Sequence, residues 1–454
     1  MELRRHIDQW LLEWKNRKER KPALVKGIRQ SGKTHSIKNF CDANYSVSIY
    51  LNFWDNHDLA TAFDGDLNAE SVIKALSTKM DLPELKKGST VFFLDEVQEC
   101  PRALLFLKTV GTKSGYDFIA SGSYLGIKGY VVGDSTPYPV GSTFEFDMRT
   151  LDFEEFLWAY GYKDEQVAMI KDAFAKRKPL STFAHNIFTK LFREYCCVGG
   201  FPEAIVQYIE SKNLRAAVGT VRKIIGNLQD DFGRRVDRNG QPLFKPNEVA
   251  RIREAFSLIP FFLAKENKRY VVSKIEAKGA KDGGKDALSY LVDAGMAFRV
   301  SNLSVPSIPL AINVIRNQYK IFPADIGMLT AMLEEGVVSA LFEGEMGFGK
   351  GMFYEAVVAE ALYKRGGRSF YFAKDTGLEL DFVVNLEGKS TILEVKAVNG
   401  NAKSAKTVMA HPEHYGKTNL IKVASSNLSM NNGILTIPHY MAFLLFDWHD
   451  LMNA

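Results

Sequence analysis

Hydrophobic positions recur at helical spacing near the start of the chain. Ile7, Trp10, Leu11 and Trp14 follow one another at intervals of three and four residues, which predicts an amphipathic helix within residues 1–21. A run of lysines and arginines follows this apolar stripe. It is either the solvated end of a helix that packs on the next domain or a basic surface for nucleic acid.

Short, continuous apolar runs predict strands of a parallel sheet in the next part of the chain. Residues 23–25, 91–94 and 118–120 are such runs, and polar residues follow each of them. Strands that are buried on both faces read as unbroken apolar runs and not as alternating patterns. We therefore predict an α/β domain with a parallel sheet over residues 22–150.

The remaining pattern predicts three further regions. Residues 151–240 have helical periodicity, and residues 241–335 contain short helical segments followed by β-like residues, an order that resembles a winged helix. An α/β module is predicted over residues 336–454. A winged helix either reads DNA or serves only as a packing module. Four lysines flank the helix that would read DNA, namely Lys274, Lys278, Lys281 and Lys285.

Composition narrows the class of protein only a little. Hydrophobic residues make up 46% and charged residues 24% of the 454 residues, as in ordinary globular proteins. The net charge of +5 permits a nucleic-acid partner without requiring one. The chain has no apolar run of the ~18 residues that a membrane helix needs and no cleavable N-terminal signal pattern. Its four cysteines lack metal-ligand spacing. Since neither a membrane helix nor a signal peptide is predicted, we expect a cytoplasmic protein without a membrane partner.

The loop after the first predicted strand carries a complete GxxxxGK[ST] pattern. In such a loop the glycines allow backbone N–H groups to surround phosphate oxygens, and the following helix adds its positive end. Lys33 would reach the β- and γ-phosphates of ATP, and the Thr34 hydroxyl would bind Mg²⁺. The predicted nucleotide-binding residues are Gly27, Ile28, Arg29, Gln30, Ser31, Gly32, Lys33 and Thr34.

Two later strand ends supply the other groups that such a loop needs. The run 91–94 ends in Asp95 and Glu96, which predicts a carboxylate for Mg²⁺ and a second carboxylate that polarises the attacking water. The next strand ends in small polar residues, where Ser121 or Ser123 either senses the γ-phosphate or forms an ordinary turn.

These residues together resemble a prokaryotic branch of the AAA+ superfamily ATPases. The resemblance rests on Arg29-Gln30, 95–98, 121–123, the LDFEEFL stretch at 151–157 and the GGFPEA stretch at 199–204. It implies an N-terminal ATPase module fused to a C-terminal domain of unknown function, with a winged helix between them. Family members often carry a Gly-Arg pair before the LDFEEFL stretch. This chain has no arginine there until Arg149, so the arginine finger stays unassigned.

The GGFPEA stretch interrupts the helical region at residues 199–204. It is either a hinge between the ATPase and its effector or a corner between two helices that needs the backbone freedom of glycine. Pro202 suits the first turn of the helix that follows.

The C-terminal module contains a second candidate site. Two predicted strands, at 382–384 and 391–395, are joined by a turn through Gly388. Asp381 then lies at the mouth of this hairpin, and Glu394 and Lys396, two residues apart on the second strand, point to one face. This order resembles the PD-(D/E)xK nuclease core, the restriction-endonuclease-like fold. There the two carboxylates bind Mg²⁺ and the lysine activates water. Glu355 on the preceding helix, or less favourably Glu360, would complete the metal site.

Two functions fit these observations. The first is an enzyme, an ATPase whose cycle controls a nuclease-like domain that acts on DNA. The second is a regulatory switch that hydrolyses ATP slowly and uses an inert nuclease-like scaffold to bind a protein or DNA partner. The sequence leaves open whether the chain also binds copies of itself.

Overall fold

The structure, a computed structural model, describes residues 1–110, 114–127, 141–234, 241–265, 268–271, 275, 283–347, 349–397 and 400–447. The first part of these residues folds into an α/β unit, with additional 3-10 helices at His57–Phe63 and Val97–Glu99. Its other elements are α1 (His6–Lys15), β1 (Ala23–Gly27), α2 (Lys33–Asn44), β2 (Val47–Asn52), α3 (Ala69–Ser77), β3 (Thr90–Asp95), α4 (Pro101–Val110), β4 (Asp117–Ser123), α5 (Tyr124–Ile127) and β5 (Phe144–Asp147).

The strands of this unit form the predicted parallel sheet. Among the described residues their order is β2-β3-β4-β1-β5, and every pairing is parallel. Val91 and Phe93 pack with α1 and α2 on one face, whereas Phe92 and Leu94 pack with α3 and α4 on the other. The unbroken apolar run in β3 follows from this burial on both faces. Strand β4 lies between β1 and β3 and is parallel to both. The carboxyl ends of these three strands therefore lie side by side at one end of the sheet.

Helix α1 packs on this sheet through its apolar stripe. Ile7, Leu11 and Trp14 are buried against residues of β1, α2 and β3. The basic segment that follows also contacts the sheet domain, since Arg20 forms an ion pair with Asp117 at 3.1 Å. These contacts favour the packing interpretation of the N-terminal segment.

The region after the sheet is helical, as its periodicity predicts. Its helices are α6 (Phe153–Ala159), α7 (Asp164–Lys176), α8 (Thr182–Val198), α9 (Pro202–Ser211) and α10 (Leu214–Arg234). Gly199 ends α8 with a φ of 76°, and the Gly200 N–H donates to Asp325 Oδ2 at 2.9 Å. The GGFPEA stretch is therefore the corner between α8 and α9, and the corner is anchored on another part of the chain.

Short helices and a pair of antiparallel strands follow. They are α11 (Pro246–Ser257), α12 (Ile259–Leu263), α13 (Gly283–Asp293), β6 (Ala297–Leu303), β7 (Val314–Pro323), α14 (Ile326–Ala331) and α15 (Glu335–Glu343), with a 3-10 helix at Leu310–Asn313. Of the four lysines considered for DNA binding, Lys285 lies in α13. The other three lie outside the described residues, namely Lys274, Lys278 and Lys281.

The last part of the chain is a mixed sheet with helices. Its elements are α16 (Lys350–Lys364), β8 (Ser369–Ala373), β9 (Glu379–Leu386), β10 (Lys389–Val395), α17 (Lys403–Ala410), α18 (Pro412–Tyr415), β11 (Asn419–Ala424), β12 (Ser429–Asn431) and β13 (Ile434–Pro438), with a 3-10 helix at His439–Leu445. The strand order within the described residues is β12-β13-β11-β10-β9-β8-β6-β7. Strands β6 and β7, which belong to the segment predicted to resemble a winged helix, thus extend this sheet.

The hairpin predicted around Gly388 is present. β9 and β10 pair antiparallel, and the turn between them has positive φ at Glu387 (51°) and Gly388 (75°). The pairing of β8 with β9 shifts register between Phe370 and Phe372, an irregularity that falls beside Asp381. Such bulges re-aim side chains next to functional sites.

Candidate functional site

The GxxxxGK[ST] loop connects the end of β1 to the start of α2. β1 ends at Gly27, α2 begins at Lys33, and the loop turns through positive φ at Gln30 (62°) and Gly32 (94°). Gly32 is the N-cap of α2, so the unpaired N–H groups of the first helical turn lie at the loop. This geometry suits the binding of phosphate oxygens.

Lys33 is buried at the loop and is held by backbone carbonyls. Its Nζ donates to Ile28 O at 2.8 Å and to Gly27 O at 3.1 Å. Burial lowers the pKa of Lys33 to about 8, although the carboxylates of Glu96 and Asp95 act in the opposite direction. A phosphate would give this ammonium a stronger partner than two neutral carbonyls.

Asp95, at the end of β3, accepts hydrogen bonds from three hydroxyl groups. They belong to Thr34 (2.8 Å), Tyr50 (3.0 Å) and Ser121. Asp95 is only 2% exposed, so its charge lies in a nearly dry environment. The Thr34 hydroxyl and the Asp95 carboxylate are oxygen ligands in direct contact, and this donor set fits Mg²⁺.

Glu96 follows in a left-handed backbone conformation that residues other than glycine rarely adopt. Its φ is 50° and its ψ is 46°. Strain of this kind is found at functional sites. The Gln98 side-chain amide donates to the Glu96 carboxylate, which stays partly open to solvent. Glu96 is thus oriented beside Asp95 with access to water.

Strand β4 carries the two candidate sensor serines. Ser121 pairs in register with Val25, and Ser123 pairs with Gly27 at the start of the loop. The Ser121 hydroxyl donates to Asp95, and Ser123 is 5% exposed. Both serines therefore lie at the edge of the sheet where the loop is, and their contact with a γ-phosphate stays a prediction.

Two arginines that the sequence singled out contact distant parts of the chain. Arg29 Nη1 lies 2.7 Å from Asp231 Oδ1, and its guanidinium carbon lies 5.3 Å from the centroid of the Trp54 ring. Arg149 stacks on Tyr363, with its guanidinium carbon 3.7 Å from the ring centroid. Arg29 thus connects the phosphate loop to α10, and Arg149 connects the end of β5 to α16.

Arg5 supports the phosphate loop, although the sequence analysis did not single it out. Its guanidinium donates to Ser31 O at 2.8 Å, to Arg149 O at 2.7 Å and to Glu155 Oε1 at 3.0 Å. These partners lie 26, 144 and 150 residues away, so no local pattern could reveal them. Arg5 thus fixes the backbone of the loop at Ser31.

A buried ion-pair network continues from there to α16. Asp152 and Glu155 form the capping box of α6, and Arg365 binds Asp152 at 2.7 Å and Glu154 at 2.6 Å. Within the described ranges, His6, Asp152 and Glu155 are the one group of three metal-ligating residues whose ligand atoms lie within 4.8 Å of one another. Arginines already neutralise these carboxylates, so we interpret the group as a structural network.

A cleft of about 540 Å³ adjoins the phosphate loop. Residues of the N-terminus, the first turn of α2 and helices α9 and α10 line it, among them Gly32, His35, Val206 and Thr220. Small-molecule sites have volumes of roughly 300–1,000 Å³. The cleft is therefore large enough for the nucleoside part of a nucleotide.

The β9–β10 hairpin places Asp381 near Glu394 and Lys396, but with Glu355 these carboxylates do not bring three ligand atoms within 4.8 Å of one another in the described chain. Asp381 Oδ2 accepts a hydrogen bond from Val395 N at 2.8 Å, and Glu394 Oε1 lies 2.7 Å from Lys396 Nζ. Glu394 Oε2 is buried and has no hydrogen-bond partner among the described residues. Burial, with the nearby charges of Glu355 and Glu394, raises the pKa of Asp381 to about 7.

Of the two helical acids considered for this site, Glu355 lies beside the hairpin. Its Oε1 is 2.8 Å from Lys320 Nζ, and its Oε2 contacts Lys268. Burial acts to raise the pKa of Glu355, but the two lysines outweigh it and lower the pKa. Glu360 instead pairs with Lys364 at 2.8 Å. The sequence analysis did not anticipate the lysines at Glu355.

Family comparisons match successive parts of the chain. Residues 19–157 match the family described as AAA domain. Residues 189–337 and 350–440 match two families described as domains of unknown function, DUF8612 and DUF4143. The first match and the loop geometry together support an AAA+ ATPase, as the sequence resemblance predicts. The other two matches define no activity.

Solved structures similar to the chain share little sequence with it. A Walker-type ATPase of Pyrococcus abyssi is 14% identical with a TM-score of 0.41, and the match covers 73% of this chain and 96% of that one. The ORC2 protein of Aeropyrum pernix, in ADPNP–ADP complexes, is 11% identical with a TM-score of 0.35, covering 76% and 95%. At these TM-scores we draw no conclusion from either likeness.

A search of curated proteins found no match to this chain. None of the helices in the described ranges combines the length and hydropathy that crossing a membrane requires.

Proposed function

We propose that the chain binds ATP with Mg²⁺ at the phosphate loop and hydrolyses it. The observation that carries this proposal is the cluster around Asp95. Thr34 from α2 and Ser121 from β4 donate to its carboxylate, and Lys33 and Glu96 lie close enough to interact with each other's charge. The cluster is at the carboxyl edge of a parallel sheet, where open α/β folds bind their ligands.

Each group of the cluster has its own role in the proposed reaction. Lys33 exchanges two backbone carbonyls for the β- and γ-phosphates. Thr34 and Asp95 would hold Mg²⁺, which neutralises phosphate charge when bound. Glu96 orients a water molecule and accepts its proton as the water oxygen bonds to the γ-phosphorus. The bond from that phosphorus to the bridging oxygen breaks, and ADP and phosphate leave.

The base and ribose would lie in the cleft beside Gly32. This cleft of about 540 Å³ opens next to the first turn of α2, so a nucleotide whose phosphates occupy the loop can extend into it. Its walls come from α9 and α10 as well as α2, so an occupied cleft would contact the helical region and the sheet domain together.

Lys33→Ala is expected to weaken ATP binding about 10- to 100-fold, because a hydrogen-bonded charge contributes roughly 1.5–3 kcal/mol. Isothermal titration of the full chain with ATP and Mg²⁺ measures this change. The control is Lys108→Ala, which removes an exposed lysine from α4 of the same domain. An unchanged dissociation constant for Lys33→Ala would discard the assignment of the phosphate loop.

A second proposed activity is cleavage of phosphodiester bonds by the C-terminal module. The hairpin supports it, because Asp381, Glu394 and Lys396 converge there and α16 contributes Glu355. The buried, unpartnered oxygen of Glu394 is the specific feature that fits a cation in this part of the described chain. In this proposal Lys396 orients the attacking water beside Glu394.

Asp381→Ala and Lys396→Ala are each expected to lower DNA cleavage at least about 100-fold, because they remove a metal ligand and the lysine at the water. Plasmid and single-stranded DNA would be incubated with Mg²⁺ or Mn²⁺, with and without ATP. Lys389→Ala, in an exposed position at the start of β10, is the matched control. Cleavage that survives both substitutions would come from elsewhere, and the assignment would be withdrawn.

The regulatory switch is the alternative if the parent chain cleaves no substrate. It is supported by the buried contacts that run from the phosphate loop through Arg5, Glu155 and Asp152 to Arg365, the C-cap of α16. Through this network, a change of nucleotide could alter the surface of the C-terminal module. DNA, another protein or a second copy of the chain would be the partner of that surface.

A further inference from the structure

The C-terminal module has an acidic cluster formed by Glu355, Glu379, Asp381 and Glu394. A buried lysine lies within this cluster. Lys320, on β7, has 1% of its side chain exposed, and its Nζ lies 2.8 Å from Glu355 Oε1 and 2.9 Å from Glu379 Oε1. A charged ammonium therefore lies among these acids.

Two of the candidate metal ligands, Glu355 and Glu394, differ in what already occupies their oxygens. Glu355 has one oxygen on Lys320 and the other on Lys268. Glu394 keeps one buried oxygen without a partner in the described part of the chain. A divalent cation at the hairpin would thus meet an available oxygen on Glu394. Glu355 could become a ligand only if its lysines moved away.

The lysines that pair with Glu355 weaken metal binding electrostatically. An ammonium a few ångströms from a divalent cation repels it, and the repulsion is strong where water is excluded. Affinity for a hard cation also depends on how many charged oxygens reach it. With Glu355 neutralised by lysines, the cluster offers the cation less negative charge than its sequence suggests.

We propose that Lys320 is a resident cation of this site, which occupies Glu355 and keeps the affinity for divalent metal low. The proposal rests on the proposed metal site at Asp381 and Glu394. In this proposal the metal affinity depends on the ion pair between Lys320 on β7 and Glu355 on α16.

The test is a Mn²⁺ titration of the full, nucleotide-free chain, with free Mn²⁺ followed by electron paramagnetic resonance. Lys320→Met is expected to bind Mn²⁺ about 10- to 100-fold more tightly than the parent. Lys320→Arg, which keeps the charge, should bind like the parent. Lys268→Met removes the more exposed lysine at Glu355 and should also bind Mn²⁺ more tightly than the parent. This second variant tests the proposal if Lys320→Met folds poorly. Lys389→Met is the control for loss of an exposed lysine.

The outcomes separate this inference from the proposed metal site. A gain in Lys320→Met that disappears when Asp381→Asn is added supports both. If the parent, Lys320→Met and Lys268→Met all bind Mn²⁺ equally weakly, the proposal that Lys320 is a resident cation is overturned. Tight binding by the parent that depends on Asp381 also overturns it, while the metal site stands. A gain that persists with Asp381→Asn overturns the metal site, and the inference fails with it.

Discussion

The Glu96→Gln chain is expected to bind ATP as the parent does and to hydrolyse it about 100- to 10,000-fold more slowly. Glutamine keeps the shape of the side chain and can still accept the hydrogen bond from Gln98. It cannot take a proton from the attacking water. Binding is measured by titration with ATP and Mg²⁺, and turnover is measured as phosphate release under saturating ATP.

The matched control for this prediction is Glu99→Gln. Glu99 lies in the 3-10 helix that follows Glu96 and is partly exposed. Its substitution should leave turnover within a few-fold of the parent value. If Glu96→Gln hydrolyses ATP at the parent rate, Glu96 is not the catalytic base. A large loss in Glu99→Gln alone would transfer the role to Glu99.

Gly200→Ala is expected to destabilise the chain by about 3 kcal/mol, because the new methyl group has no space. Its Cβ would lie 2.1 Å from Leu151 O and 2.7 Å from Lys364 Nζ. Neither neighbour can move freely, since Leu151 N donates to Gly200 O at 2.8 Å and Lys364 Nζ donates to Leu151 O at 2.8 Å. The corner between α8 and α9 would have to move away from Leu151 and Lys364.

Urea unfolding, with the slope compared between variants, measures this loss of stability. Gly219→Ala is the matched control, because a Cβ there would meet no described atom within 4 Å outside the local helix backbone. In the interior of α10 this change should be neutral or stabilise by roughly 0.5–1 kcal/mol. Equal stability of the two variants would show that the corner is not tightly packed.

The geometry of the candidate nucleotide site was largely predictable because its groups follow from local rules. The loop has fixed spacing from Gly27 to Thr34, and Asp95 ends a short apolar run that, downstream of such a loop, predicts a buried strand. Parallel pairing then brings the carboxyl ends of β1, β3 and β4 to one edge. The hairpin with Asp381 and Glu394 was predictable for a similar reason, since a turn through Gly388 determines which strand residues are neighbours.

The residues that escaped prediction are those whose partners are set by packing. Lys320 reaches Glu355 across 35 residues of sequence, and Lys268 reaches it across 87. A lone lysine in a strand has no pattern that distinguishes a buried counter-ion from a solvated surface charge. Likewise, the β-like residues after α13 predict strands, but they do not indicate which sheet the strands join.

The strand order of the C-terminal sheet has a consequence for how the chain is made. Ser301 on β6 pairs with Phe370 on β8. Because β6 comes earlier in the chain, it leaves the ribosome long before β8 does. During that interval β6 can pair with β7, while its other edge stays open. Unpaired edges of this kind are sites of mispairing and aggregation. The growing chain is therefore vulnerable here during synthesis, before the strands from β8 onward are available to cover that edge.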